Sequence, residues 1–141
     1  MPPPVDINLA AVFGAAIASM VLGFLWYGPL FGKQWMSLMG WKKLSKAQMD
    51  KMKEAGKKSY ALAFIGALVM SYVLAHFVDY TGAVTAVEGA QTGFWVWFGF
   101  VATVMLGMVL WEGKPWKLYY LNAAYQLVSL LVMGVLLAIW V

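Results

Sequence analysis

The sequence predicts an all-α integral membrane protein whose single domain, residues 1–141, is a bundle of four transmembrane helices. Hydrophobic residues make up 63% of the chain and charged residues 11%, which leaves too little polar surface for a soluble domain of this size. Four apolar stretches each approach the ~20 residues needed to cross ~30 Å of hydrocarbon. The basic residues, all of them lysine, lie in two of the connections between these stretches.

Each apolar stretch is predicted to be a helix, because backbone amides in hydrocarbon must bond within their own segment. Gly28-Pro29 is expected to end the first span, and Gly113-Lys114-Pro115 follows the third. No basic segment precedes the first stretch and no cleavage site follows it, so we expect a retained span and not a signal peptide. The predicted spans cover residues 7–27, 60–80, 93–111 and 118–141.

The distribution of lysine predicts the orientation of the chain. Eight of the ten lysines lie between the first and second spans, and two lie between the third and fourth. The opposite side carries only the acidic residues Asp6, Asp79 and Glu88. By the positive-inside rule, both lysine-bearing connections face the cytoplasm and both termini face the periplasmic or extracellular side.

The long lysine-rich loop, residues 30–59, is expected to contain a short helix. Ser45-Lys46-Ala47-Gln48 fits a capping box, and methionines follow it on a basic segment. One interpretation is that this helix lies on anionic lipid headgroups. The alternative is a solvated basic loop.

An internal repeat indicates two tandem helical hairpins of the same orientation. Ser19–Gly23 matches Thr103–Gly107, and Leu68–Val78 matches Leu131–Val141. The alternative is chance, because apolar segments draw on a small set of residue types. If the repeat is real, an axis along the membrane normal relates the two hairpins.

Small residues recur at four-residue spacing on three of the spans, which places them on one ridge of each helix. Such ridges allow close backbone approach and gain dispersion contacts in lipid. The pattern leaves open whether they pack within one chain or between protomers. The candidate helix-packing residues are Ala15, Ser19, Gly23, Ala67, Ser71, Gly99, Thr103 and Gly107.

Polar residues within the spans are the candidates for function. Some could line a narrow polar path, although such residues often bond across helices as structural contacts. His76 and Asp79 lie three residues apart and form a candidate proton-relay or metal-binding pair, or an interfacial pair without such a role. The candidate path residues are Asn122, Gln126, Ser129, Ser19, Ser71 and Thr103.

Other chemistries have no support in the sequence. The chain contains no cysteine, which excludes thiolate metal sites and cysteine nucleophiles. We find no nucleophile–base arrangement, phosphate-binding glycine loop or zinc motif, and we expect no enzymatic activity and no cofactor. A short basic loop without arginine does not indicate nucleic-acid binding.

The run Leu22-Gly23-Phe24-Leu25-Trp26-Tyr27-Gly28-Pro29-Leu30-Phe31-Gly32-Lys33-Gln34-Trp35 resembles the signature of an uncharacterised bacterial membrane family, domain of unknown function seventeen-sixty-one. Pro115-Trp116 and Asn122-Ala123-Ala124-Tyr125-Gln126-Leu127 resemble the last helix of that family. The resemblance implies a four-helix protein of the bacterial plasma (inner) membrane, and it implies no activity.

Physically, the first motif is typical of a helix end followed by a sharp turn that returns to the interface. Aromatic rings anchor such a turn and lysine reaches the headgroups. A binding loop is the alternative interpretation. The interface-loop residues are Trp26, Tyr27, Gly28, Pro29, Phe31, Gly32, Lys33 and Trp35.

The sequence leaves three functional hypotheses. The favoured one is a non-enzymatic structural or accessory component of the lipid bilayer that packs as a homo-oligomer or within a larger membrane complex. The second is a homo-oligomeric channel or carrier for a small solute. The third is a membrane enzyme or metal-binding protein that uses His76 and Asp79.

Overall fold

The computed structural model describes residues 7–39 and 45–140, and every regular element in these ranges is helical. Four of its helical stretches are long and apolar enough to cross a membrane, which confirms the prediction of an all-α protein with four candidate spans. Asp6, Lys42 and Lys43 lie outside the described residues. The four stretches are Leu9–Leu30, Lys46–Tyr80, Ala86–Leu110 and Trp116–Ile139.

The first span is helix α1, Leu9–Leu25, extended by a π-helical turn at Trp26–Leu30. The side chain of Asn8 accepts a hydrogen bond from the backbone N–H of Ala11 at 3.3 Å and caps the helix. The helix does not end at Gly28-Pro29 as expected. Proline has no N–H to donate, and the helix continues through a wider turn in which the N–H of Phe31 bonds the carbonyl of Trp26 at 2.9 Å.

A short helix, α2, Gly32–Leu38, follows this turn directly. The second span is α3, Lys46–Tyr80, which begins at the predicted capping box. The N–H of Gln48 bonds the Ser45 hydroxyl at 3.3 Å, and the N–H of Ser45 bonds the Gln48 amide at 2.9 Å.

Helix α3 has 35 residues and is therefore about 50 Å long, well beyond the ~30 Å of a hydrocarbon core. The basic segment that we expected to form a separate short helix is the first part of α3. The range 30–59, expected to be a loop, thus holds α2 and about 14 residues of α3. The basic stretch is thus continuous with the second span, and whether it contacts lipid headgroups or solvent stays a prediction.

The third span is the most irregular. It consists of α4, Ala86–Val96, a second π-helical turn at Trp97–Val101, and the short helices α5, Ala102–Met105, and α6, Gly107–Leu110. The hydroxyl of Thr103 donates to the Gly99 carbonyl at 2.8 Å. Such back-bonding competes with the helical ladder and bends helices.

The fourth span, α7, Trp116–Ile139, is the centre of the bundle and packs on each of the other three spans. Of its most apolar window, 39% is buried, against 28%, 22% and 11% for the first, second and third spans. The core joins residues of α1, α3 and α7, including Ala15, Leu74, Leu130 and Met133.

Helices α4 and α7 pack backbone against backbone. A Cβ atom on Gly93 would overlap the carbonyl oxygen of Leu130, and a Cβ atom on Gly134 would overlap the carbonyl oxygen of Gly89. Glycine is therefore the only residue that fits these positions without moving the helices apart. Close contact of this kind supplies dispersion energy where the hydrophobic effect does not act between helices.

We expect Gly93→Ala to destabilise the purified protein by roughly 1–3 kcal/mol, the usual range for overpacking, because the added methyl group meets the Leu130 carbonyl. Thermal unfolding in mild detergent, measured as Tm, checks this. Gly66→Ala is the matched control, since a Cβ atom there has nothing within 4 Å. Equal Tm values for the two variants would contradict the close approach of α4 and α7.

Candidate functional site

Because consecutive spans run antiparallel, both lysine-bearing connections lie at one end of the bundle, which we call the lysine end. The π-helical turn after α1, helix α2 and the start of α7 all lie there. The ring of Phe24 contacts that of Tyr60 of α3, with centroids 5.3 Å apart. Polar and aromatic side chains converge on α7 from this end towards the middle of the bundle.

Two tryptophans bond to the backbone of α7. The indole N–H of Trp26 donates to the Leu121 carbonyl at 3.1 Å, and that of Trp97 donates to the Ala123 carbonyl at 2.9 Å. Each tryptophan is the first residue of a π-helical turn. Such a turn holds one more residue than an α-helical turn and changes the direction of the side chains that follow. The two turns thus begin at two of the points where the first and third spans are hydrogen-bonded to α7.

Tyr27 connects the first motif to the side chain of Asn122. Its hydroxyl donates to Asn122 Oδ1 at 2.7 Å, and its ring meets the edges of Trp35 and Tyr125 with centroids 5.1 and 5.3 Å apart. A Cβ atom on Gly32 would lie 2.7 Å from the Tyr27 carbonyl oxygen. The glycine therefore lets α2 start directly against the turn.

Three hydroxyls continue this contact deeper into the bundle. The hydroxyls of Ser19 and Ser129 lie 2.8 Å apart, and both residues are buried. The hydroxyl of Tyr125 donates to the Ser19 carbonyl at 2.9 Å. We call the whole set the α7 cluster: Ser19, Trp26, Tyr27, Trp97, Asn122, Tyr125 and Ser129.

The fully buried polar atoms of the α7 cluster all have hydrogen-bond partners. Among the described residues, no buried side-chain nitrogen or oxygen lacks a hydrogen-bond partner. Each bond joins α1, its π-helical turn or the third span to α7. These hydrogen bonds hold three spans in one register.

The six candidate path residues fall in separate places. Asn122, Ser19 and Ser129 belong to the α7 cluster, and Gln126 is half-buried beside it. Ser71 is fully buried elsewhere, between α3 and α1, and donates to the Val12 carbonyl at 2.9 Å. Thr103 lies on the exposed side of the third span.

His76 and Asp79 are not hydrogen-bonded to each other. Nδ1 of His76 lies 2.8 Å from the Tyr72 carbonyl, and the imidazole sits between the rings of Tyr72 and Tyr80. Asp79 instead lines a groove with Asn8 at the end of the bundle opposite the lysine end. No cluster of three or more potential metal ligands occurs within residues 7–39 and 45–140.

The candidate helix-packing residues divide between covered and open positions. Ala15, Ser19 and Ser71 are buried, Ala67 is half-buried, and Gly23 lies against the Tyr125 ring. The ridge of the third span points away from the bundle: Gly99 and Thr103 are exposed, and a Cβ atom on Gly99 would meet nothing within 4 Å. Gly107 is half-buried, and its nearest neighbour is Trp111 of the same span.

The remaining interface-loop residues follow the turn. Gly28 and Pro29 are exposed, and the Phe31 ring packs against Trp26 in a tilted arrangement with centroids 4.7 Å apart. Lys33 is exposed on α2.

Tyr125 and Trp97 were not among the site residues that the sequence predicted. A signal for Trp97 was present, because a tryptophan in the middle of a span must find an acceptor for its indole N–H. Tyr125 lies in the second motif, three residues after Asn122, and only this position in the motif indicated a role for it.

We expect Tyr27→Phe to lower stability by about 1 kcal/mol, because it leaves the Asn122 acceptor without its donor. Tyr60→Phe, at an exposed ring against Phe24, should leave stability unchanged. Unfolding in mixed micelles measures both. In an Asn122→Leu background, Tyr27→Phe should cost less than it does alone, and a purely additive double variant would contradict the coupling.

The family described as "Protein of unknown function (DUF1761)" matches residues 10–138. No curated protein and no solved structure matches the chain. The two motifs on which the resemblance was based both lie in the matched region, and they meet in space through Trp26, Tyr27, Asn122 and Tyr125. Since the match spans nearly the whole chain, the protein belongs to the DUF1761 family of proteins of unknown function, as its motifs predicted.

Proposed function

We propose that this protein is a non-enzymatic structural or accessory component of a bacterial plasma membrane, which pairs with a second copy of itself through its third span. The observation that carries the proposal is the exposure of that span, of which only 11% of the apolar window is buried within one chain. Each of the other three spans has a larger buried share, whereas the third is interrupted by a π-helical turn and packs mainly on α7.

The open side of the third span has the relief that close helix packing requires. Gly99 is exposed and a Cβ atom there would meet nothing within 4 Å, while Trp95 and Phe100 of the same span are large exposed side chains. The side chains of a second helix pack against such an uneven surface more closely than lipid chains do. The closer packing gives additional dispersion energy. The closed α7 cluster complements this arrangement, since it holds the exposed span in place from behind.

We further place the lysine end at the cytoplasmic face and both termini on the periplasmic or extracellular side. The contacts of α1 with α3 and of α4 with α7 support a description as two tandem hairpins. Exposed lysines of α3, such as Lys57 and Lys58, meet anionic headgroups where the helix leaves the hydrocarbon.

A homo-oligomeric channel or carrier is a second candidate, and one observation favours it. Gln126 is a half-buried amide on a membrane span, and no hydrogen-bond partner for it occurs in the described part of the chain. A polar side chain in that position suits a solute or a second protomer. Solute flux in liposomes that is lost in Gln126→Leu would support this function, and absence of flux in the unaltered protein would remove it.

Self-association can be tested by disulfide cross-linking, because the chain has no native cysteine. We expect Gly99→Cys and Thr103→Cys to form dimers on mild oxidation in native membranes. Val69→Cys, at an exposed position of α3, is the control and should stay monomeric. Adding Gly107→Leu to Thr103→Cys should reduce the dimer severalfold, because the larger side chain obstructs close approach. Equal cross-linking at positions 69 and 103 would contradict a specific interface.

Orientation can be tested with a membrane-impermeant maleimide on intact cells. We expect Val84→Cys, in the turn between α3 and α4, to be labelled directly. Asp50→Cys, at the lysine end, should be labelled only after the membrane is opened, because the lysine-rich side is retained in the cytoplasm. The reverse pattern would overturn the proposed topology.

A further inference from the structure

A groove of about 680 Å³ lies at the lysine end, between α2 and the start of α7. One wall is the face of α2 that carries Lys33, Gln34 and Ser37, and the other is the face of α7 that begins at Lys117. The apolar lining includes Trp26 and Leu121. The groove thus combines two cations and two polar groups with an apolar surface.

The walls of this groove are held in place by the α7 cluster. The indole N–H of Trp26 donates to the Leu121 carbonyl at 3.1 Å, so these two lining residues are held together by a hydrogen bond. Helix α2 is fixed by Trp35, whose ring meets that of Tyr27 with centroids 5.1 Å apart. A groove that is formed before its ligand arrives does not lose ordering entropy on binding.

The charges of the groove fit an anion. The structure places no carboxylate among the residues that line it. Lys117 lies in the first turn of α7, a turn without an acidic residue, and the positive end of the helix dipole makes a lone cation unfavourable there. An anionic group between Lys33 and Lys117 would offset both charges.

The position of the groove decides which anion is expected. It lies at the level of Trp116 and Tyr120, an aromatic pair typical of the membrane interface. An anion at that depth is the phosphate of a membrane lipid, which has acyl chains attached. Trp26 and Leu121 form an apolar surface against which such a chain can pack. The lysines of α3 differ, because they lie on an exposed helix together with Asp50 and Glu54.

We infer that this groove binds one anionic phospholipid, with the phosphate at Lys33 and Lys117 and the start of an acyl chain against Trp26 and Leu121. The lipid fills the space between α2 and α7 as a bound component of the fold. This site requires only that the lysine end meets a membrane surface, and it does not depend on pairing through the third span.

Native mass spectrometry of the purified protein tests this inference with phosphatidylglycerol and phosphatidylcholine of identical chains. We expect one retained phosphatidylglycerol per chain and no comparable phosphatidylcholine adduct. The variant Lys33→Gln/Lys117→Gln should bind phosphatidylglycerol with an affinity at least about tenfold lower. Lys51→Gln/Lys58→Gln removes the same charge from the exposed part of α3 and should retain the adduct.

Two further arms keep the test decisive. Ala124→Phe narrows the groove, of which Ala124 is a lining residue, while it keeps both lysines, and it should also weaken phosphatidylglycerol binding. Glycerol phosphate, which has the headgroup charge without chains, should not compete. Equal adducts in the two lysine double variants, equal binding of both lipids, or full competition by glycerol phosphate would each overturn a phospholipid site. Dimer formation is measured by cross-linking at position 103 and does not depend on lipid binding. A failure of the phospholipid site can therefore be distinguished from a failure of the proposed pairing.

Discussion

The bundle depends on one constraint: a polar group within hydrocarbon must find its hydrogen-bond partner inside the protein. Helix α7 satisfies this constraint for its neighbours. Its Leu121 and Ala123 carbonyls accept from two indole N–H groups, and the Asn122 side chain accepts from Tyr27. Three consecutive residues of one helix thereby determine where the first and third spans meet it. Apolar packing alone would leave those spans free to slide or rotate along α7, because lipid and side chains are similarly apolar.

The two π-helical turns show how the other spans reach these acceptors. A regular α-helix has 3.6 residues per turn, and this repeat produces a continuous apolar face. A π-helical turn changes the side-chain directions locally, so that an indole N–H can reach one particular carbonyl. Each π-helical turn begins at the tryptophan that makes the bond. In the first span the turn also absorbs Pro29 and leads into α2. One local irregularity therefore relieves the missing proline donor and places a second helix against α7.

The distribution of contacts separates a closed half of the molecule from an open one. The α7 cluster is joined by hydrogen bonds within the chain, and the Gly89–Gly134 and Gly93–Leu130 contacts bring α4 onto α7 as closely as backbones allow. The later part of the third span has no comparable cover, and Gly99 faces open space. A rigid interior that supports one exposed apolar span is the physical basis of the proposed role as a membrane component that pairs with itself.

The sequence by itself determined the apolar character of the spans, the helical class, the number of spans and the capped helix start at Ser45, although not that this helix continues into the second span. These follow from local properties: apolar length, backbone satisfaction in lipid and a capping box at Ser45 and Gln48. Only the tertiary structure decided which polar residues meet. Ser19, Ser71 and Thr103 each belong to a series of small residues at four-residue spacing. Ser19 nevertheless lies in the α7 cluster, Ser71 between α1 and α3, and Thr103 on the open side of the third span. The reason is that spacing assigns a residue to a face of its own helix, whereas the neighbour of that face depends on how the helices rotate and cross.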